Sequence, residues 1–286
     1  MKKQKNENVS YLSEVLDKLK EHKMAMAGLV VLIVEILMVV FLPMILKLDP
    51  YTSDYTAFSA APGGAHILGT DAIGRDVFAR LMYGGRTSLL VGFVSTLISC
   101  AIGVPLGLVA GYARGKAEAV IMRIADMMLA FPGLVLALAV AGIMGASIKN
   151  AIIAIVVVSW TKYARLARSL VMKIRDRDYV SAAIVTGSKT PYMLFRYMLP
   201  NALPTLIITA ATDIGSMMLE LAAMSFLGFG AKPPAPEWGY MLNEGRACMQ
   251  SAPWLMIFPG LAIFVVVVVF NMLGDSIRDI LDPRNE

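Results

Sequence analysis

The sequence predicts an all-α integral membrane protein with six transmembrane helices, and three observations carry that prediction. Apolar residues make up 57% of the 286, above the roughly 45–50% of soluble chains, and the mean hydropathy is +0.67. Three uncharged runs, Thr87 to Ala113, Met127 to Ile148 and Leu255 to Gly274, reach the roughly 20 residues that a helix needs to cross a bilayer. Finally, the basic residues are segregated. With the N-terminus inside and six spans, nineteen of the 26 Lys and Arg fall in inner segments and seven in outer ones, a bias that puts both termini in the cytoplasm.

The predicted spans are 24–46, 87–112, 119–143, 145–165, 203–227 and 255–275. An outer loop at 47–86, a cytoplasmic loop at 171–202 and an outer loop at 228–254 join them. Residues 24–286 form the membrane domain. Residues 1–23 form a cytoplasmic tail in which Leu12, Val15, Leu16 and Leu19 recur at helical spacing between charges, the pattern of an amphipathic surface helix. The first apolar run is longer than a signal-peptide core and has no small-residue cleavage site, so it should remain as an anchor. Its Glu35 would cost roughly 2.5–3.5 kcal/mol at the bilayer centre and should face other helices.

In the first outer loop, Asp49-Pro50 and Pro62-Gly63-Gly64 carry turn chemistry. Asp76 can cap a short interfacial helix in which Val77, Phe78, Leu81 and Met82 share a face. His66, Asp71 and Asp76 fit no metal-ligand spacing, and no metal site is expected. Gly103, Gly107 and Gly111 form a small-xxx-small series for close helix packing. Phe131-Pro132-Gly133 should kink the third span. In the second outer loop, the proline-rich stretch after Gly228 reads as a surface loop. Cys100 and Cys248, the two cysteines, lie in a span and an outer loop and form no disulfide framework.

The cytoplasmic segment Tyr179 to Pro200 reads as helix, elbow, helix. Ser181 to Val185 can form a short helix with small residues on one side. Gly187 supplies a turn, and Pro200 with Pro204 suits the start of the next helix. In the fifth span, Asp213 and Glu220 lie two turns apart on one face, with Ser216, Met217 and Met224 on or near the same side. That face is a candidate translocation pathway, with an internal ion pair as the competing role.

Ala182-Ala183, Gly187 and, nine residues on, Tyr197-Met198-Leu199-Pro200 keep the spacing of the "EAA" loop and resemble permease subunits of ATP-binding-cassette (ABC) importers. Ser181 stands at the motif's glutamate and Tyr197 at its isoleucine. The blocks from His66 to Asp76 and Arg80 to Arg86, the stretch Ser225 to Gly239 and the ending Gly274 to Pro283 resemble the dipeptide, oligopeptide and nickel branch. The resemblance implies a type I importer permease fold with a cytoplasmic coupling loop between spans 4 and 5. Ser181, Ala182, Ala183, Gly187, Leu199 and Pro200 would then meet an ATPase. It also implies the remaining partners: a similar second permease in a heterodimer, two cytosolic ATPase subunits, an extracytoplasmic binding protein, and the lipid of a bacterial or archaeal inner membrane. Peptides or chelated nickel are the implied cargo.

The chain should not itself be an enzyme or bind nucleic acid. Gly187-Ser188-Lys189-Thr190 lacks the Gly-Lys-Ser/Thr order of a phosphate loop, and Gly115-Lys116 is followed by Ala117. ATP and Mg are therefore expected on partner subunits, with no cofactor in this chain. A stand-alone ion-coupled carrier using Asp213 and Glu220 is the competing class, but it calls for two matching halves, and no internal repeat is visible.

Overall fold

The computed structural model describes residues 23–281. The expected amphipathic tail helix and the last residues of the Asp282-Pro283 ending lie outside that range. The regular elements are all helical: α1 (Lys23–Ile45), α2 (Val77–Ala113), α3 (Gly115–Leu129), α4 (Gly133–Met144), α5 (Ile148–Arg175), α6 (Asp178–Val185), α7 (Thr190–Met193), α8 (Leu199–Phe226), α9 (Trp238–Gly245) and α10 (Trp254–Leu281). A π turn, Leu194–Met198, fuses α7 and α8. Among the described residues, α1, α2, the fused run Thr190–Phe226 and α10 are long and apolar enough to cross a membrane. The bent pair α3 and α4 would make a fifth span. α5 is 28 residues long, but Lys162, Arg165, Arg168, Lys173 and Arg175 lower its hydropathy.

Three expectations change at this level. The interfacial helix capped by Asp76 and the span from residue 87 are one helix of 37 residues, capped by Asp76 Oδ1 accepting from the Ala79 amide at 2.8 Å. Gly84 and Gly85 disfavour helix between Val77 and Thr87, but no proline interrupts the run, and both glycines are buried against Trp238, so packing carries the helix through. The third span is broken rather than kinked: α3 and α4 meet at 90°. Pro132 has no amide to donate and holds the chain extended there, at ψ 124°.

The second outer loop is a surface loop only in part: Lys232 to Pro234 are exposed, but the chain then turns inward. Trp238 and Glu237 are fully buried, and α9 packs against α8 and α10. Irregular backbone can be buried when its polar groups find partners, and here they do. The Trp238 indole donates to the Leu81 carbonyl at 2.8 Å, and the Ser88 hydroxyl donates to Glu237 Oε1 at 3.0 Å. The other side of the same carboxylate caps α9 at the Tyr240 amide, 2.8 Å away. Trp238→Ala should therefore cost about 3–5 kcal/mol, read as a drop in melting temperature of the detergent-purified protein.

α2 and α5 form the central contact of the bundle. Ser88, Gly92, Ser95, Ser99, Gly103, Gly107 and Gly111 lie along one buried face of α2. Its last three members bring α2 against the backbone of α5. A Cβ on Gly107 would overlap the Ala164 carbonyl oxygen and lie 2.7 Å from the Ala167 Cβ. Van der Waals contact of this kind, rather than the hydrophobic effect, holds helices together in lipid.

Candidate coupling elbow and translocation face

At one end of the bundle, α5 stops at Arg175 and α6 begins three residues later, at Asp178. The Gly187 amide donates to the Ile184 carbonyl at 3.0 Å and the Ser188 amide to the Ala183 carbonyl at 3.1 Å, with Gly187 at φ +81°. This is the Schellman arrangement, which places a left-handed residue just past the helix end. It gives a physical reason for the glycine four residues after Ala183. The chain then re-enters helix at Thr190, with Pro191 in the first turn. Pro200 does open α8, but the chain is already helical ten residues earlier. A π turn, Leu194–Met198, accommodates there a proline whose missing amide would break a plain α-helix.

The elbow has two faces. Val180, Ala183, Met193 and Met198 are buried against Leu108 of α2 and Val171 of α5. Arg175 ties α5 to α2 by donating to the Tyr112 carbonyl at 2.7 Å. The other face leaves Ser181, Ala182 and Gly187 open, and beside them Tyr179, Ile184, Val185, Tyr192 and Phe195 are exposed large apolar residues. Leu199 is half-buried and Pro200 exposed.

The open face of α8 is polar. Thr205, Thr209, Ser216 and Glu220 share one side of the helix at helical spacing, each exposed or half-exposed. A second open side is apolar: Leu203, Ile207, Ala210 and Ile214 line a groove of about 450 Å³ with Phe93 and Leu97. The candidate pathway residues divide accordingly. Ser216 and Glu220 lie on the polar face. Asp213 sits at its edge, buried, receiving hydrogen bonds from Lys162 Nζ at 2.5 Å and Tyr163 Oη at 2.8 Å.

Met217 and Met224 are buried in the core with Val91, Ala137 and Leu221. Met217 follows Ser216 by one residue, a turn of about 100° that points it inward; Met224, four residues on from Glu220, is only about 40° round the helix from it and is buried by the helices packed there. Lys162 of α5 is the counter-charge of Asp213. Nothing in the sequence marks a pairing between residues 51 positions apart on different helices.

Towards the elbow, Glu118 and Asp126 of α3 face Arg168 and Arg165 of α5 around a polar cavity of about 440 Å³. On α1, Glu35 is buried with its Oε2 unpartnered, among Val34, Trp238 and Phe258.

At the far end, residues 46–76 have no long element. A buried set of charges clamps them: Arg75 bonds Asp71 at 2.6 Å and Glu244 at 2.7 Å, and Arg80 bonds Asp71 at 2.9 Å. Among the described residues no three His, Cys, Asp or Glu side chains are gathered to hold a metal ion. His66 Nδ1 instead meets Asp76 Oδ2 at 2.8 Å, and this bond raises the imidazole pKa above its ordinary value. A raised folded pKa stabilises the fold fully below about pH 6.5 and loses that contribution as pH rises through the folded value. The melting temperature should accordingly fall between pH 6 and pH 8.5, and His66→Gln should flatten that dependence.

A helical bundle with several apolar helices long enough to cross a bilayer describes an integral membrane protein. The chain belongs to the family of binding-protein-dependent transport system inner membrane components, which it matches over residues 103–286. Residues 10–62 match the N-terminal transmembrane domain of oligopeptide transport permease C. It is 42% identical over 96% of its length to the dipeptide transport system permease protein DppC of Alkalihalophilus pseudofirmus, covering 91% of that protein. With the DppC of Haemophilus influenzae it shares 43% identity over 93% of its length and 92% of the relative's. With the glutathione transport system permease protein GsiD of Pectobacterium atrosepticum it shares 42% over 93% of its length and 88% of the relative's. The fold is shared with a chain of the inward-facing MetNI methionine ABC transporter, at a TM-score of 0.58 and 18% identity over 70% of this chain and 95% of that one. The protein is thus a multi-pass inner-membrane permease subunit of an ABC importer, and its family is one of transporters rather than enzymes.

Proposed function

We propose that this chain is one of two similar permease halves forming the pathway of an ATP-driven importer of short peptides. ATP hydrolysis takes place on cytosolic subunits docked at the elbow, with Mg and nucleotide held there. An extracytoplasmic binding protein delivers cargo at the opposite end. Six spans, with α3 and α4 together as the third and α5 as the fourth, put both termini and the elbow in the cytoplasm. In this reading the membrane domain is 24–286 and Ser181, Ala182, Ala183, Gly187, Leu199 and Pro200 belong to the coupling loop.

The observation that carries the proposal is the two-faced elbow: one side locked onto α2 and α5, the other presenting Val185 and Phe195 to solvent. An exposed apolar patch suits a partner surface, and a push there, passed on through the packed side, would move the helices bearing the polar face. ATP-driven closure of the partners would favour one state of the pathway because it binds the two states unequally.

Peptide is favoured over nickel chelates because the relatives' named cargoes are a dipeptide and glutathione, and Ser216, Glu220 and the threonines offer hydrogen bonds rather than soft metal ligands. The test is reconstitution with both permeases, ATPases and binding protein in vesicles. Uptake of a dipeptide should require ATP and the ATPase subunits. Accumulation by the permease alone without nucleotide would refute the proposal in favour of an ion-coupled carrier.

A further inference from the structure

We infer that Glu220 and Lys162 are paired receptors for the two charged termini of a short peptide, the peptide's ammonium at Glu220 and its carboxylate at Lys162. The inference rests on the reading that the polar face of α8 lines the pathway. It adds to that reading which groups on the cargo are recognised and by which atoms.

The argument begins with which charges are already satisfied. Asp213 is buried, and its two oxygens are taken by Lys162 Nζ and Tyr163 Oη. An ammonium carries three donors, and this bond uses one of those on Lys162, whose side chain remains 55% exposed. Glu220 makes no hydrogen bond or ion pair with another described residue and is half-exposed. The open face therefore presents a carboxylate with no bonded partner and, two turns of α8 nearer the elbow, an ammonium with donors to spare. An intramembrane acid pairs with other groups or faces a water-filled cavity. Here the protein supplies Asp213 with its partner and leaves Glu220 for a cation that comes and goes.

The spacing supplies the size of the cargo. Asp213, against which Lys162 is held, and Glu220 are seven residues apart on α8, so the two receptors are separated along the axis by about 10 Å at 1.5 Å per residue. An extended tripeptide spans at most about 10–11 Å and a dipeptide about 7 Å. Ser216, between them on the same face, offers a hydroxyl to the peptide backbone. A peptide with both termini free can bridge the two receptors without either charge leaving a counter-charge.

The test uses the complete importer in vesicles with its binding protein and ATP, and trialanine as the probe. Glu220→Gln is expected to lower uptake at least about tenfold while the permease still co-purifies with its ATPases, and Glu220→Asp, which keeps the charge, to stay within about threefold of the unaltered chain, against the tenfold of one 1.4 kcal/mol interaction. Lys162→Met alone strands Asp213 in the interior, so the second site is tested by the neutral double change Lys162→Met with Asp213→Asn, which should lower uptake as deeply as Glu220→Gln. Uptake within twofold of normal in Glu220→Gln, or an aspartate no better than a glutamine, overturns the inference. If the unaltered importer takes up no trialanine with ATP, the peptide-importer reading itself has failed, and that outcome is separate.

Discussion

Replacing Gly187 by tryptophan should release the ATPase subunits from an otherwise intact membrane protein. The φ of +81° costs a residue with a Cβ roughly 1–2 kcal/mol, a local strain the bundle can absorb. Within this chain nothing lies within 4 Å of a Cβ built there, so a large side chain meets no wall of its own protein. It projects instead into open space at the exposed elbow, where a docking partner would sit. ATPase retention on a permease column, and ATP-driven uptake with it, should fall about 100-fold or more, the scale of losing ~3 kcal/mol at an interface centre. Gly187→Ala, carrying the strain without the bulk, should keep most of the bound ATPase. ATPase still bound to the tryptophan variant with normal uptake would show that the elbow is not the docking site.

Gly107→Leu should prevent the bundle from forming at all. Position 107 faces the Ala164 carbonyl oxygen and the Ala167 Cβ, and no flexible side-chain end lies there to move aside. Overpacking a core costs typically 1–3 kcal/mol. Here the obstruction is backbone, so α2 and α5 must separate along their whole contact, and the loss should exceed ~3 kcal/mol. The expected reading is little or no monodisperse protein by size-exclusion chromatography. A normal yield would mean that the helix pair does not depend on this approach. Even Gly107→Ala, whose Cβ alone overlaps the Ala164 carbonyl oxygen, should destabilise the pair, and with it Leu108 and Val171, which seat the elbow.

Much of the elbow could be read from residue order because its chemistry is local. Ala182-Ala183 followed by Gly187 is a helix followed by its left-handed stop, and the hydrogen bonds that close it join residues no more than five apart. The small-residue series on α2 was equally legible, since a period near four marks one helix face whatever lies against it. The candidate pathway was legible only in part. Seven-residue spacing correctly put Asp213 and Glu220 on neighbouring positions of one helix, but burial separates them: one is consumed by Lys162 and Tyr163, the other left open. Met217 and Met224 were assigned to that face on spacing alone, and packing turned them into the core.

The chain's sequence by itself determined that it is an all-helical membrane protein, where most of its apolar helices run, and that a glycine-stopped elbow joins two of them, because hydropathy, caps and turns are set by neighbours along the chain. Tertiary structure alone decided that Asp76 starts a single long helix, that α3 and α4 meet at a right angle, that Trp238 and Glu237 are drawn into the interior, and that Asp213 is neutralised by Lys162. Each of those outcomes depends on which distant group can satisfy a buried hydrogen bond or charge, and that is known only once the helices have been placed side by side.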